Sequence, residues 1–211
     1  MKNVGIIGNG FVGSAIASGF ALHANVKIYD VDERRSTHSF EEVVNSSEFI
    51  FVSVPTPMNI GLGGEIDLSI LDDVLQQIED INTQKDNVVI IKSTAVPGTT
   101  LKYIKRHPNL NIVFNPEFLT ERTARLDFIN TSRIVLGAED PRLSRRVRDF
   151  YRDRFSATPI IRTDTQSAEF IKYFNNIYNA NLIILANNFY EVCKALDIDY
   201  NAVKDTIVCR D

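Results

Sequence analysis

The chain has 211 residues, 44% apolar and 24% charged, which is ordinary for a globular protein of one full domain and part of a second. With 27 acidic and 23 basic residues the net charge is −4; this argues against nucleic acid, which needs a basic face, but not against a phosphorylated ligand held by backbone amides at a helix N-terminus. Cysteine occurs only at Cys193 and Cys209, and His23, His38 and His107 lie far apart, so neither a metal-ligand spacing nor a disulfide framework is expected.

A reducing cytoplasm is therefore the expected setting. No apolar run approaches the roughly 20 residues of a membrane helix. Met1-Lys2-Asn3 leads straight into a strand pattern, with no sign of a signal peptide.

In chain order, residues 4–7 read as a short buried strand, 8–13 as a turn and 11–22 as a helix of small and apolar residues. A second strand over 26–29 ends at Asp30, completing a strand-turn-helix-strand unit. A short helix over 39–44 and a buried strand over 49–54 follow, stopped by Pro55-Thr56-Pro57. Residues 58–65 form a Gly-rich loop. Ser69 with Asp72 resembles a capping box opening a helix to about Ile78. The pattern then predicts strands at 88–91, 111–114, 133–136 and 159–161, and helices at 97–104, with Pro97 in the first turn, and 141–154. Continuous apolar strands alternating with helices imply a doubly wound α/β fold with a mainly parallel sheet.

After residue 163 the pattern changes. Phe170, Ile171, Phe174, Ile177, Tyr178, Leu182, Leu185 and Phe189 recur at helical spacing, predicting one long helix over 168–196 and another from 200 to 208. The expected domains are a dinucleotide-binding domain over 1–163 and the start of a helical domain over 164–211.

The segment Gly8-Asn9-Gly10-Phe11-Val12-Gly13 follows a strand and opens a helix, the context in which a Gly-x-Gly-x-x-Gly loop binds a dinucleotide. The first glycine permits the turn, the second lets backbone approach a pyrophosphate, and the third lets helix and strand pack closely. Asp30 lies 17 residues beyond Gly13. A carboxylate there accepts hydrogen bonds from ribose hydroxyls and repels a 2′-phosphate, favouring NAD over NADP. Arg34 and Arg35 could instead receive that phosphate, although Arg34 reads as a solvated residue.

Four further segments occur in order: Val54-Pro55-Thr56-Pro57; Lys92-Ser93-Thr94-Ala95-Val96-Pro97-Gly98-Thr99; Asn115-Pro116-Glu117-Phe118-Leu119-Thr120-Glu121; and Glu169-Phe170-Ile171-Lys172-Tyr173-Phe174-Asn175-Asn176. With the glycine loop they resemble the UDP-glucose/GDP-mannose dehydrogenase family over almost the whole chain. The resemblance implies NAD-dependent oxidation of the C6 alcohol of a nucleotide sugar to a carboxylate, with two NAD per turnover and an enzyme thioester. It assigns Glu117 to thioester hydrolysis, Thr94 to ordering the active-site water, and Lys172 and Asn176 to the oxyanion and that water. The i,i+4 spacing of Lys172 and Asn176 puts both on one helix face.

Glu121 matches a residue near both cofactor and sugar, and Phe118 and Leu119 join Glu117 on the substrate side. Val54, Pro55, Thr56, Ser93, Thr94 and Arg35 match cofactor-contacting positions. The resemblance also implies a homodimer through the long helix, with Phe170, Phe174, Tyr178 and Phe189 buried against a second copy.

Two departures qualify the resemblance. Few residues separate Asp30 from Glu48, where the family carries a longer helical insertion. The family's nucleophilic cysteine stands in a Gly-rich segment beyond the long helix, and Cys209-Arg210-Asp211 does not match it. Cys193 reads as a buried structural thiol. NAD binding with poor or no four-electron oxidation is the resulting expectation. A β-hydroxyacid or 6-phosphogluconate type of dehydrogenase, and a non-catalytic NAD-binding module, are the alternatives.

Overall fold

The computed structural model describes residues 1–59 and 64–208. Among the described residues a seven-stranded sheet forms from β1 (Lys2–Ile7), β2 (Ala24–Tyr29), β3 (Phe49–Val52), β6 (Val88–Ile91), β7 (Asn111–Phe114), β8 (Ile134–Gly137) and β9 (Ile160–Thr163). Its order is β2-β1-β3-β6-β7-β8-β9, with β7 and β8 antiparallel and the other neighbours parallel. β3, β6 and β8 are apolar at every position and buried throughout, as a helix-covered sheet requires.

The helices are α1 (Phe11–Phe20), α2 (Phe40–Ser46), α3 (Ser69–Ile81), α4 (Thr99–Arg106), α5 (Ala124–Ile129), α6 (Pro141–Arg154), α7 (Thr165–Ala195) and α8 (Tyr200–Val208). Of these, α1 to α6 and the first turns of α7 cover the sheet with two apolar layers. In one, the Phe20 ring meets Phe51, Phe128, Phe150, Tyr151 and Phe155 at centroid distances from 4.7 to 6.1 Å. In the other, α2, α3 and the start of α7 bury Val43, Val44, Leu71, Leu75, Ile78 and Ala168.

Several local expectations shift. Ser69 is not a cap: Leu68 holds the N-cap position of α3, and Asp67 Oδ1 accepts the Ser69 N–H at 2.9 Å. The reciprocal capping box instead opens α2, between Ser39 and Glu42. α4 begins after Pro97, because Gly98 takes φ +94° and breaks the approach to the helix. The ends of the Gly-rich loop pair as a short antiparallel ribbon of β4 (Met58–Asn59) and β5 (Glu65–Ile66); its tip lies outside the described residues, as do Cys209, Arg210 and Asp211.

β2 is an edge strand, and the usual dinucleotide fold continues past it with a further strand. Here residues 36–38 turn back along it instead. Ile28 N–H donates to Thr37 Oγ1, Ile28 O accepts Thr37 N–H, and Ser36 Oγ accepts Asp30 N–H while donating to Asp30 O. Two hydroxyls thus satisfy the edge backbone that a neighbouring strand would pair.

The chain divides into two compact units, residues 1–172 and 173–211. The boundary read from the sequence, at 163, coincides with the end of β9, but the first turns of α7 pack with the sheet. In the second unit, Tyr190 packs edge-on against Tyr200 at 5.4 Å, and Cys193 is buried as expected.

Candidate active site

β2 and β3 lie on opposite sides of β1, so the crevice beyond their C-terminal ends is a topological switch point. A cleft of about 420 Å³ runs along it. Its lining follows sheet order: Asp30, Val31 and Arg35 beyond β2; Gly8, Gly10, Phe11 and Val12 beyond β1; Ser53, Val54, Pro55 and Thr56 beyond β3; Lys92, Ser93 and Thr94 beyond β6; Glu117 beyond β7.

The three loop glycines are required for different reasons. Gly8 sits at φ +90°, and a Cβ there would lie 2.5 Å from Ser53 O. A Cβ on Gly13 would lie 1.9 Å from Gly8 O, so only glycine lets α1 start this close to the loop. A Cβ on Gly10 would meet nothing within 4 Å: the space before the helix is open. No side chain caps α1, which leaves its first-turn amides and positive dipole end available to a pyrophosphate.

Asp30 ties the loop to β2. Its Oδ2 accepts Asn9 N–H at 2.6 Å and its Oδ1 accepts Asp32 N–H at 2.9 Å, while Asn9 Nδ2 donates to Arg35 O at 2.8 Å. An ionised carboxylate has about four acceptor sites, so ribose hydroxyls can still be received. Arg34 donates twice to Asp32, at 2.9 Å each, and its side chain is 88% exposed, matching the solvated role. Arg35 faces the cleft.

The loops beyond β3 and β6 hold each other. Thr56 Oγ1 donates to Thr94 O at 2.8 Å, and Ser93 Oγ donates to Val54 O at 2.7 Å. These bonds explain why hydroxyl residues stand at both positions and fix one wall of the cleft.

Beyond β7, Lys172 Nζ donates to Glu117 Oε1 at 2.7 Å and to Glu117 O at 2.6 Å. Glu117 Oε2 accepts Leu119 N–H at 2.6 Å. The two side chains are 6% and 11% exposed, so this ion pair is largely removed from water. Lys172 Nζ also lies 5.8 Å from the centroid of the Phe118 ring, which Arg133 covers at 4.3 Å. Residues brought together from distant segments thus make one cluster, drawn from β7 and α7.

Glu121 begins a short 3₁₀ turn and lines a separate groove with Phe11 and Ser14. Asn176 lies on α7 in the second compact unit.

Two buried charged residues escaped sequence reasoning. Lys92 donates to Asn115 Oδ1 at 2.9 Å and to Pro116 O at 3.4 Å; Asn115 Oδ1 also receives Tyr151 O–H at 2.6 Å. Burial pulls the Lys92 ammonium down to about 7, Glu117 opposes that pull and Lys172 adds to it. A lysine directly after the four-residue apolar strand Val88–Ile91 was the available signal. Glu169 accepts Gly98 N–H at 2.6 Å and Thr100 N–H at 2.7 Å, capping α4 from the start of α7. Burial raises its carboxyl, and the bonds from Thr100 and Gly98 oppose that shift.

Residues 33–155 match the profile of the UDP-glucose/GDP-mannose dehydrogenase family NAD-binding domain, and residues 166–210 match the family's central domain. A UDP-glucose 6-dehydrogenase of Haloferax volcanii is 31% identical over 247 residues, covering 96% of this chain and 57% of that protein. The alignment is longer than this chain, so the relative carries residues absent here. Among solved structures, a ternary complex of GDP-mannose dehydrogenase from Pseudomonas aeruginosa superposes with TM-score 0.86 at 25% identity, over 99% of this chain and 56% of that one. A UDP-glucose dehydrogenase from Pyrobaculum islandicum gives TM-score 0.81 at 26% identity, over 99% and 57%. The chain therefore spans little more than half the length of these relatives. With the glycine loop, Asp30 and the interleaved motifs in one cleft, the chain belongs to the UDP-glucose/GDP-mannose dehydrogenase family and carries its NAD-binding domain.

Proposed function

We propose that this chain carries the cofactor half of a nucleotide-sugar 6-dehydrogenase, acting on the C6 alcohol of a sugar joined to a nucleoside diphosphate. The observation that carries this reading is the desolvated Glu117–Lys172 pair at the far end of the cleft from Asp30. Laid across the sheet edge, NAD would place adenosine at Asp30, phosphates on α1 and nicotinamide beside Thr94 and Glu117. Bound there, it accepts hydride from the alcohol carbon. Lys172 supplies a fixed positive charge for the oxygen that becomes electron-rich as the carbonyl reacts. Glu117, oriented by Lys172 and the Leu119 amide, assists water in the hydrolytic step, and Thr94 holds that water. Phe118, Leu119 and Glu121 contribute to the sugar side.

The matched names of the relatives, UDP-glucose and GDP-mannose dehydrogenases, support a nucleotide-linked hexose as substrate. Exposed Tyr178, Leu182, Leu185 and Phe189 on α7 support self-association through that helix. A cytoplasmic site of action fits the family and the free, buried thiol of Cys193; no described helix is long and apolar enough to cross a membrane.

The test is a panel of alcohols with NAD, read by NADH fluorescence and mass spectrometry of the sugar. Reduction with UDP-glucose or GDP-mannose, and none with 3-hydroxy acids or 6-phosphogluconate, is expected. The reverse selectivity refutes the reading. NAD binding with turnover of no alcohol, even with a relative's C-terminal half added, identifies a non-catalytic module.

A further inference from the structure

Lys92 is 5% exposed yet lines the cofactor cleft between Thr94 and Glu117. Its two hydrogen-bond partners, Asn115 Oδ1 and Pro116 O, are neutral oxygens. The nearby carboxylate is already engaged: Glu117 Oε1 by Lys172, and Oε2 by the Leu119 amide. Two acceptors require two N–H groups, which a neutral amine supplies while keeping a lone pair. A buried ammonium with no counter-ion of its own is costly. The charged and titratable groups around it are Glu117 from the β7 loop, Lys172 from α7, Tyr151 from α6 behind Asn115, and Arg133 ahead of β8 across a small internal cavity. Burial keeps the Tyr151 phenol protonated, so it donates to Asn115 and does not act as a base toward Lys92.

A charge balance then gives Lys92 a task. Oxidised nicotinamide carries a positive ring charge and reduced nicotinamide carries none; the pyrophosphate is the same in both. With adenosine at Asp30, as in the reading above, the nicotinamide end of the cleft would fall beyond β6 and β7, where Lys92 lines it. The ring charge favours a neutral amine before hydride transfer, and its loss favours an ammonium afterwards.

We propose that Lys92 is the acceptor of the substrate alcohol's proton. The C–H pair leaves the carbinol carbon as hydride for the nicotinamide, the O–H bond breaks, its electron pair forms the carbonyl, and the proton passes to Lys92 Nζ directly or across one water. This inference rests on the dehydrogenase reading above. The site's net charge is unchanged across the step: the ring loses one positive charge as Lys92 gains one.

The linkage can be measured on this chain by cofactor binding. NAD⁺ and NADH affinities are determined by calorimetry between about pH 6 and pH 9, in buffers of different ionisation enthalpy. NAD⁺ should bind with proton release near neutral pH. The preference for NAD⁺ over NADH should rise with pH by about tenfold, which corresponds to a one-unit displacement of the Lys92 proton equilibrium by the ring charge. The Lys92→Met chain, checked for native circular dichroism, should lose both effects. Independently of that variant, the Lys92 ¹³Cε resonance of the native chain should titrate near neutrality and move to lower pH with NAD⁺.

A Lys92 resonance that stays protonated to about pH 9 in both states, or proton release undiminished in Lys92→Met, overturns the assignment and leaves the dehydrogenase reading standing. Intact linkage with turnover of no alcohol rejects that reading, and the proposal with it.

Discussion

Breaking the Glu117–Lys172 pair from its two sides should have unequal consequences. In Lys172→Met the Glu117 carboxylate stays 11% exposed and keeps only the Leu119 amide, at 2.6 Å, among its hydrogen-bond donors. Removing one partner of a buried ion pair costs about 3–5 kcal/mol, because the other charge is stranded. For a chain of this size that is a fall in Tm of roughly 6–20 °C. In Glu117→Gln, Lys172 keeps the backbone oxygen of residue 117 and gains a neutral amide oxygen in place of Oε1. Lys172 also loses its counter-ion, but it keeps two oxygen acceptors where Glu117 would keep one donor, so the loss should be smaller, about 1.5–3 kcal/mol. The double variant removes both charges and should be less damaged than the sum of the single changes. The assay is urea unfolding of the four proteins, with the coupling taken from the double-mutant cycle. Equal costs for the two single variants, or a Lys172→Met cost below about 1 kcal/mol, would refute the claim that this pair is desolvated and mutually dependent.

The glycine loop separates folding from binding. Gly13→Ala drives a Cβ to 1.9 Å from Gly8 O and should weaken both NAD affinity and thermal stability; Gly10→Ala meets nothing within 4 Å and should leave the melt unchanged while lowering NAD affinity at least about tenfold, read by calorimetry. Asp30→Asn should lower NAD affinity by about 10–100-fold, since a charged hydrogen bond contributes about 1.5–3 kcal/mol, and should raise the relative affinity for NADP; an unchanged preference would place the ribose elsewhere. Glu79 receives the buried His107 Nδ1 at 2.7 Å, a bond that holds its carboxyl below the usual 4.5 while burial opposes it. A lowered carboxyl contributes stability above its unfolded value and loses it as pH falls through the folded one, so the native chain should weaken on acidification below about pH 4.5. Glu79→Gln should remove that part of the loss, and identical acid limbs in urea titrations would contradict the bond.

The sheet was legible because β3, β6 and β8 are continuous apolar runs; α6 was found at its correct bounds because Pro141 and the last basic turn mark both ends. Errors fell where short-range hydrogen bonds decide the start of a helix. Ser69-x-x-Asp72 has the letters of a cap, but Asp67, two residues earlier, reaches the Ser69 amide first. Within the site, the glycine loop and Asp30 could be placed from spacing alone because a single βαβ unit contains them. The Glu117–Lys172 contact could not, since its partners stand 55 positions apart and only the packing of α7 brings them together. Lys92 was overlooked for a related reason: sequence marks it as a polar residue after a strand, while its burial depends on Asn115, Pro116 and Tyr151 from two other elements.

The shortened segment after Asp30 bears on cofactor selection as well as on the sheet edge. With no further strand beside β2 among the described residues, the turn over residues 32–36 joins the Asn9 amide in holding Asp30 in place. It does so through the Asp32 amide, which donates to Asp30 Oδ1, and through Ser36 Oγ, which bonds both backbone groups of Asp30. The same turn commits Arg34 to Asp32, away from any phosphate, while the backbone oxygen of Arg35 anchors Asn9 of the glycine loop. The turn therefore assigns the placing of Asp30, the proposed ribose partner, to a few side chains. A Ser36→Ala chain tests this dependence. It should leave Asp30 less fixed, reducing NAD affinity by about 5–10-fold, because both hydrogen bonds to the Asp30 backbone, about 1 kcal/mol each, are lost beside the proposed ribose site. Undiminished NAD affinity in that chain would mean that the Asn9 and Asp32 amides alone suffice to position the carboxylate.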